Sequence, residues 1–115
     1  MYEYRATVLA ETDGDTVHVQ IDQGLDTYHN HSLRFAGINT PELGTEEGKA
    51  AAAYVAGLIP PGTVLTIRTA KDKTEKYGRY LAWLYLGNSV WLNRLLIIHG
   101  FAVPYGPLPI DPPPA

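Results

Sequence analysis

One apolar strand that carries an arginine and then stops in polar residues limits most strongly what this chain can fold into. Residues 33–38 are apolar enough for a buried strand, but Arg34 interrupts them. The strand ends at residues 39–42, Asn-Thr-Pro-Glu, which are typical of a polar turn. Because a guanidinium in an apolar strand is costly without an anionic partner, this strand end is a candidate cation or phosphate site.

Composition restricts the chain to one small folded unit. Its 115 residues suffice for about one domain, and the hydrophobic and charged fractions of 45% and 18% are typical of folded proteins. The absence of cysteine excludes disulfides, thiolate zinc sites and cysteine nucleophiles. A net charge of −3 argues against nonspecific coating of nucleic acid, which needs many lysine and arginine contacts to phosphate.

No feature of the sequence points to a membrane. The apolar runs are far shorter than the roughly 20 residues of a membrane span, and the first residues lack the basic and apolar regions of a signal peptide. We therefore expect no membrane partner and a chain that is either cytoplasmic or secreted after removal of a leader. We also expect a monomer, although no sequence pattern specifies the oligomeric state.

Alternation of apolar and polar residues predicts five strands. The clearest covers residues 16–21, where every second residue is Val or Ile. Residues 13–15, Asp-Gly-Asp, predict a tight turn before it that presents carboxylates, and residues 23–30 predict a looser turn after it. His29 and His31 flank this second turn and are interpreted as loop residues, since no third metal ligand lies nearby. The predicted strands cover residues 4–9, 16–21, 33–38, 63–69 and 80–86.

Two helices interrupt the strands. Thr45 is a predicted N-cap for a first helix, with Glu46 and Glu47 at the positive end of its dipole and an alanine-rich run over residues 49–58. Ser89 is a predicted N-cap for a second helix that Gly100 closes. The order β-β-β-α-β-β-α predicts a five-stranded Greek-key barrel of the OB type, a fold that commonly binds nucleic acid. Residues 1–105 would form this domain and residues 106–115 a proline-rich tail.

Three motifs in this order resemble the staphylococcal nuclease (thermonuclease) family. They are Asp-Gly-Asp-Thr at residues 13–16, Arg-Phe-Ala-Gly-Ile-Asn-Thr-Pro-Glu at residues 34–42 and Lys-Tyr-Gly-Arg at residues 76–79. Each motif alone is weak, but together they form a specific signal over roughly residues 6–105. The resemblance implies an OB barrel that hydrolyses single-stranded or frayed DNA and RNA with calcium and leaves 3′-phosphate ends.

The chemistry of phosphodiester hydrolysis agrees with these residue types. Arginine forms bidentate hydrogen bonds to phosphate oxygens and keeps its charge at ordinary pH, so Arg34 and Arg79 suit the charge that develops in the transition state. Glu42 could orient or deprotonate the attacking water. Oxygen ligands without cysteine favour calcium over zinc.

The resemblance also implies a role for each site residue. Arg34 and Arg79 would hold the scissile phosphate, and Glu42 would activate water. The implied calcium ligands are Asp15, Asn39 and the Thr40 carbonyl, with Asp13 in a supporting position. Residues implied to contact the nucleotide are Lys76, Tyr77 and Tyr105.

Two departures from the family pattern leave a second function open. Asn39 stands where the family usually has aspartate, so we expect weaker calcium binding. The usual third helix is replaced by the proline-rich tail. The alternative to a nuclease is therefore a catalytically weak or inactive OB module that binds nucleic acid or a protein partner.

Overall fold

The structure, a computed structural model, contains the predicted order of elements. It describes residues 2–74 and 79–114, apart from the side chains of residues 11–13 and 71–74. Three strands of only two residues, β4, β7 and β8, are additions to the predicted set. The elements are β1 (Tyr2–Asp13), β2 (Thr16–Asp22), β3 (Tyr28–Phe35), β4 (Ile38–Asn39), α1 (Glu46–Leu58), β5 (Val64–Thr74), β6 (Tyr80–Gly87), β7 (Val90–Trp91), α2 (Leu92–Ile98) and β8 (Val103–Pro104).

The five long strands close into a barrel. Antiparallel pairing joins β3 to β2, β2 to β1, β1 to β5 and β5 to β6. The sheet then closes on itself because β6 runs parallel to β3, with Leu33 opposite Tyr80 and Phe35 opposite Ala82. This arrangement confirms the predicted five-stranded OB barrel with two helices.

The inward-facing side chains of the strands fill the barrel. In β2 the inward residues are Val17, Val19 and Ile21, as the alternation predicted. Val55 and Ile59 close the core from the α1 side, and both are fully buried. Since each fully buried aliphatic side chain stabilises the fold by about 1.5–3 kcal/mol, this core is the main source of stability in a chain without disulfides.

The start of α1 is fixed by its predicted N-cap. The Thr45 hydroxyl accepts a hydrogen bond from the Gly48 N–H at 3.0 Å and donates one to the Glu42 carbonyl at 2.7 Å. Two acidic residues in the first turn face the positive end of the helix dipole. The cap therefore ties the helix to the loop that follows β4.

The predicted cap of the second helix is wrong. Ser89 lies in the tight turn between β6 and β7, with a φ of 63°, and α2 begins after Trp91 at the N-cap. The Ser89 N–H donates to the Tyr85 hydroxyl at 2.9 Å. The turn reverses the chain so that Trp91 pairs with Tyr85, and this pairing delays the helix.

The two histidines near the second turn also differ from the prediction. His29 and His31 belong to β3 and not to a loop, because they pair with Ile21 and Val19 of β2. Strand β3 therefore begins at Tyr28 and the turn before it is shorter than predicted.

Residues 99–114 contain no third helix, as predicted, and the proline-rich segment lies against the barrel. The Trp83 indole N–H donates to the Pro109 carbonyl at 3.0 Å. Arg94 donates to both carboxylate oxygens of Asp111, at 3.1 and 2.7 Å, and these hydrogen bonds raise the pKa of Arg94. The division into a domain and a tail at residue 105 stays a prediction. Within the described ranges, neither helix has the length and apolar character to cross a membrane.

Candidate active site

The guanidinium of Arg34, the cation in the apolar strand, lies over the end of strand β3. Arg34 pairs with Thr16 of β2 through the backbone, and its side chain is 13% exposed. Nη1 donates to the carbonyls of Phe35 and Ile38 at 3.2 and 3.1 Å, and Nη2 donates to Asn39 Oδ1 at 2.7 Å. Carbonyl oxygens at the turn between β3 and β4 thus accept hydrogen bonds from the Arg34 guanidinium, for which the sequence showed no partner.

Asp15 is the anion that Arg34 meets. Its Oδ2 lies 3.4 Å from Arg34 Nη2 and accepts a hydrogen bond from the Thr40 N–H at 3.2 Å. The residue is only 8% exposed, so the predicted carboxylate at the hairpin tip is buried in the site and not presented to solvent. A buried carboxylate beside a guanidinium is stable only while both partners are present, and each therefore fixes the other.

Gly14 allows the hairpin tip to reach this position. A Cβ there would lie 2.8 Å from the Ala51 Cβ and 3.0 Å from Thr40 Oγ1. Any side chain would push the tip away from α1 and would separate Asp15 from Thr40. Turn chemistry alone predicts a glycine here, and the close contact with α1 is a second reason for it.

Arg79 reaches the same hairpin tip from another part of the chain. It precedes β6, and its Nη1 donates to Thr16 Oγ1 at 2.8 Å. The Thr16 hydroxyl lies in turn 3.4 Å from Asp15 Oδ1. Both predicted phosphate-binding arginines therefore converge on residues 15 and 16, with Thr16 as a link that the sequence analysis did not single out. Its polar hydroxyl at a buried strand start was the available signal.

Tyr105 lies beside Arg34. Its N–H donates to the Gly37 carbonyl at 2.9 Å, and Arg34 Cζ lies 5.6 Å from the centre of its ring. Tyr105 is 61% exposed, so part of the residue is accessible to a ligand. An exposed aromatic ring beside a cationic side chain is suited to contact with a nucleotide.

Glu42 lies in the exposed loop between Thr40 and the α1 N-cap. Its backbone carbonyl accepts from both the N–H and the hydroxyl of Thr45. The described contacts of Glu42 involve its backbone. They include no hydrogen bond between its carboxylate and Arg34 or Arg79. The remaining site residues, Lys76, Tyr77 and the side chain of Asp13, lie outside the described part of the chain.

The donor atoms around Asp15 determine whether calcium fits. Asp15, Asn39 and Thr40 offer oxygen atoms, which are the ligands that calcium prefers. They bring one formal negative charge, and Arg34 already donates to Asn39 Oδ1 and approaches the Asp15 carboxylate. The donor type therefore fits calcium, but the charge predicts weak binding. Among the described side chains, no group of three His, Cys, Asp or Glu residues could hold a metal on its own.

Comparisons with known proteins match this chain to one family model and to two relatives. A family model described as staphylococcal nuclease homologue matches residues 32–109, a range that contains Arg34, Asn39 and Arg79 but not the hairpin tip. The chain is similar to the endonuclease YhcR of Bacillus subtilis, with 26% identity over 120 residues that cover 95% of this chain and 10% of that protein.

A second relative is an uncharacterized protein of Methanocaldococcus jannaschii. It is 28% identical over 128 residues, which cover 89% of this chain and 59% of that protein. The chain thus spans a small part of the first relative and little more than half of the second.

Proposed function

Because this chain belongs to the family of staphylococcal nuclease homologues, we propose that it is a nuclease that hydrolyses phosphodiester bonds of single-stranded or frayed DNA, RNA or both. The observation that carries the proposal is the convergence of Arg34 and Arg79 on Asp15 and Thr16. Two guanidinium groups against one buried carboxylate make a positive site that suits an anionic phosphate.

In the proposed reaction, water attacks the phosphorus while the bond to the 5′ oxygen breaks, which leaves a 3′-phosphate and a 5′-hydroxyl. Arg34 and Arg79 bind the phosphate oxygens, whose negative charge rises during the reaction. Glu42 accepts the proton of the attacking water, for which its loop must bring the carboxylate towards Arg34. A solvent water molecule donates a proton to the departing 5′ oxygen, which leaves as the 5′-hydroxyl. Tyr105, with Tyr77 and Lys76, contacts the nucleotide.

Asp15, Asn39 and the Thr40 carbonyl would hold calcium, and Asp13 would support them. Bound calcium would supply positive charge beside the phosphate and would order water. The chain itself keeps these oxygen donors together, because the Thr40 N–H donates to Asp15 and the Arg34 guanidinium donates to Asn39.

The test is cleavage of heat-denatured DNA by the full chain, with calcium or with chelator. We expect calcium-dependent cleavage that Arg79→Ala lowers by roughly 100-fold or more, because a preorganised donor to the transition state is removed while little packing is lost. Arg94→Ala is the matched control, since it removes a half-exposed guanidinium that pairs with Asp111 and not with a residue of the candidate site.

One observation favours the alternative of a binding module. Asn39 brings no charge and its oxygen accepts from Arg34, so Asp15 supplies the one carboxylate among the three implied calcium ligands. Tight binding of denatured DNA without any cleavage at millimolar calcium, the weak end of protein calcium sites, would establish the binding module and contradict the nuclease.

A further inference from the structure

One end of the barrel is open and lined by aromatic rings that the proposed reaction does not use. Beyond the apolar core, the inward-facing positions of the strands surround a cavity of about 250 Å³. At the corresponding positions in the core, the same strands carry Ala, Val, Ile, Leu and Phe. The residues that form this mouth include Tyr2, Tyr4, His29, His31, Thr69 and Tyr80.

The rings in the mouth are ordered but do not fill it. His31 meets the Tyr80 ring edge-on at 5.5 Å, and His29 stacks beside His31 with their ring centres 6.3 Å apart. Tyr2 and Tyr4 form a tilted pair, also at 6.3 Å. Tyr2 and Tyr80 remain 44% and 38% exposed, so the mouth presents aromatic faces to solvent.

The mouth lies next to the candidate active site along the chain. Tyr80 directly follows Arg79 and pairs with Leu33, the neighbour of Arg34. His31 precedes Arg34 by three residues on the same strand, which is about 10 Å of extended chain. Bases only a few nucleotides from a phosphate at Arg34 and Arg79 could therefore reach the mouth, since one OB fold commonly contacts ~4–16 nucleotides.

We propose that this mouth is a second subsite that takes a base of the same single strand whose phosphate binds between Arg34 and Arg79. The proposal rests on the proposed function for its ligand. Tyrosine rings stack on any base, and the side chains of Gln23 and Thr69 at the same rim offer hydrogen bonds to base edges.

The two histidines do not suggest a metal instead. Among the described residues, His29 and His31 belong to no group of three or more His, Cys, Asp or Glu residues that could hold one. The surrounding side chains are aromatic, amide and hydroxyl groups, which suit a planar heteroaromatic ring.

The experiment measures the dissociation constants of two 12-nucleotide strands in chelator, one with thymine bases and one with abasic sites throughout. In the full chain, Tyr80→Leu should weaken binding of the thymine strand by about 5- to 150-fold, the value of one lost base stack. Binding of the abasic strand should not change. Tyr2→Leu, at a second exposed ring of the mouth, should act in the same direction.

Tyr28→Leu is the matched control, because Tyr28 is 53% exposed on β3 but does not line the cavity. Unchanged thymine-strand affinity in both mouth variants, or an equal loss for the abasic strand, would overturn the subsite. Cleavage of denatured DNA by the wild-type chain is measured separately. If the wild-type chain does not cleave but the mouth variants show the base-dependent loss of affinity, the nuclease is refuted and the subsite stands. If the chain cleaves but the variants show no such loss, only the subsite is refuted.

Discussion

Asn39 affects both the charge and the hydrogen bonding of the candidate site. Its amide oxygen accepts the 2.7 Å hydrogen bond from Arg34, which also faces Asp15 at 3.4 Å. An aspartate at the same position would give the guanidinium two carboxylates and would double the formal negative charge of the oxygen cluster. The neutral amide keeps the hydrogen bond and leaves the site more positive.

We predict that Asn39→Asp raises the affinity for calcium. An added carboxylate next to Asp15 increases the attraction for a divalent cation, and charge count is the main determinant of calcium affinity at sites of this type. Isothermal titration with calcium measures the change.

The control for this variant is Asn30→Asp, which adds the same charge on an exposed position of β3 outside the oxygen cluster. Equal affinities of the two variants would show that calcium binds elsewhere or acts only through net charge.

Helix α1 positions the Glu42 loop through a close backbone contact. Gly48, in the first turn of α1, is buried under this loop, and a Cβ there would overlap the Glu42 carbonyl oxygen and lie 2.9 Å from the Pro41 carbonyl oxygen. Because both atoms belong to the backbone, they cannot rotate away as a side chain would. The loop that carries the proposed general base therefore depends on a glycine in the helix.

Gly48→Ala should consequently displace the loop and lower both stability and cleavage. We expect a loss of about 1–3 kcal/mol in the free energy of unfolding, the usual cost of overpacking. Urea denaturation and the rate of DNA cleavage measure the two effects.

Gly57→Ala provides the comparison within the same helix. Nothing lies within 4 Å of a Cβ at Gly57, so the higher helix propensity of alanine should leave stability unchanged or raise it by up to about 1 kcal/mol. If Gly48→Ala behaved in the same way, the loop would not depend on the close contact.

The C-terminal proline-rich segment packs against the barrel. Leu108 packs against the small cluster around Trp83, and Ile110 packs against the main core. Trp83 is only 1% exposed, and its indole N–H is satisfied by the Pro109 carbonyl. The proline-rich segment therefore covers apolar surface that the barrel would otherwise expose.

A chain that ends at Gly106 should be less stable by about 2–4 kcal/mol, because the apolar side chains of Leu108 and Ile110 no longer cover the barrel. The midpoint of urea denaturation measures this loss. Asp111→Ala is the control, since it removes only an exposed ion pair with Arg94, and such pairs contribute little. Equal stability of the truncated and full chains would show that the segment does not support the barrel.

Local patterns were sufficient to predict most of the elements. The alternation of Val17, Val19 and Ile21 predicted β2, and Thr45 followed by an alanine-rich run predicted α1, because neighbours in the chain decide which face of a strand is buried and where a helix begins. The motifs that contain Arg34 and Arg79 predicted the candidate site, since their spacing resembles a known family.

The misplaced cap at Ser89 and the misplaced histidines of β3 have one cause. Both depend on antiparallel pairing with the preceding strand, β6 for the first and β2 for the second, which the residue types of each element alone do not specify. The same holds for the site itself: the parallel closure of β6 on β3 brings Arg79 to Thr16, and no local pattern specifies that contact. Residue types and periodicity therefore determine the elements and the chemical groups of this chain, whereas barrel closure decides which groups meet, because only long-range pairing sets their distances.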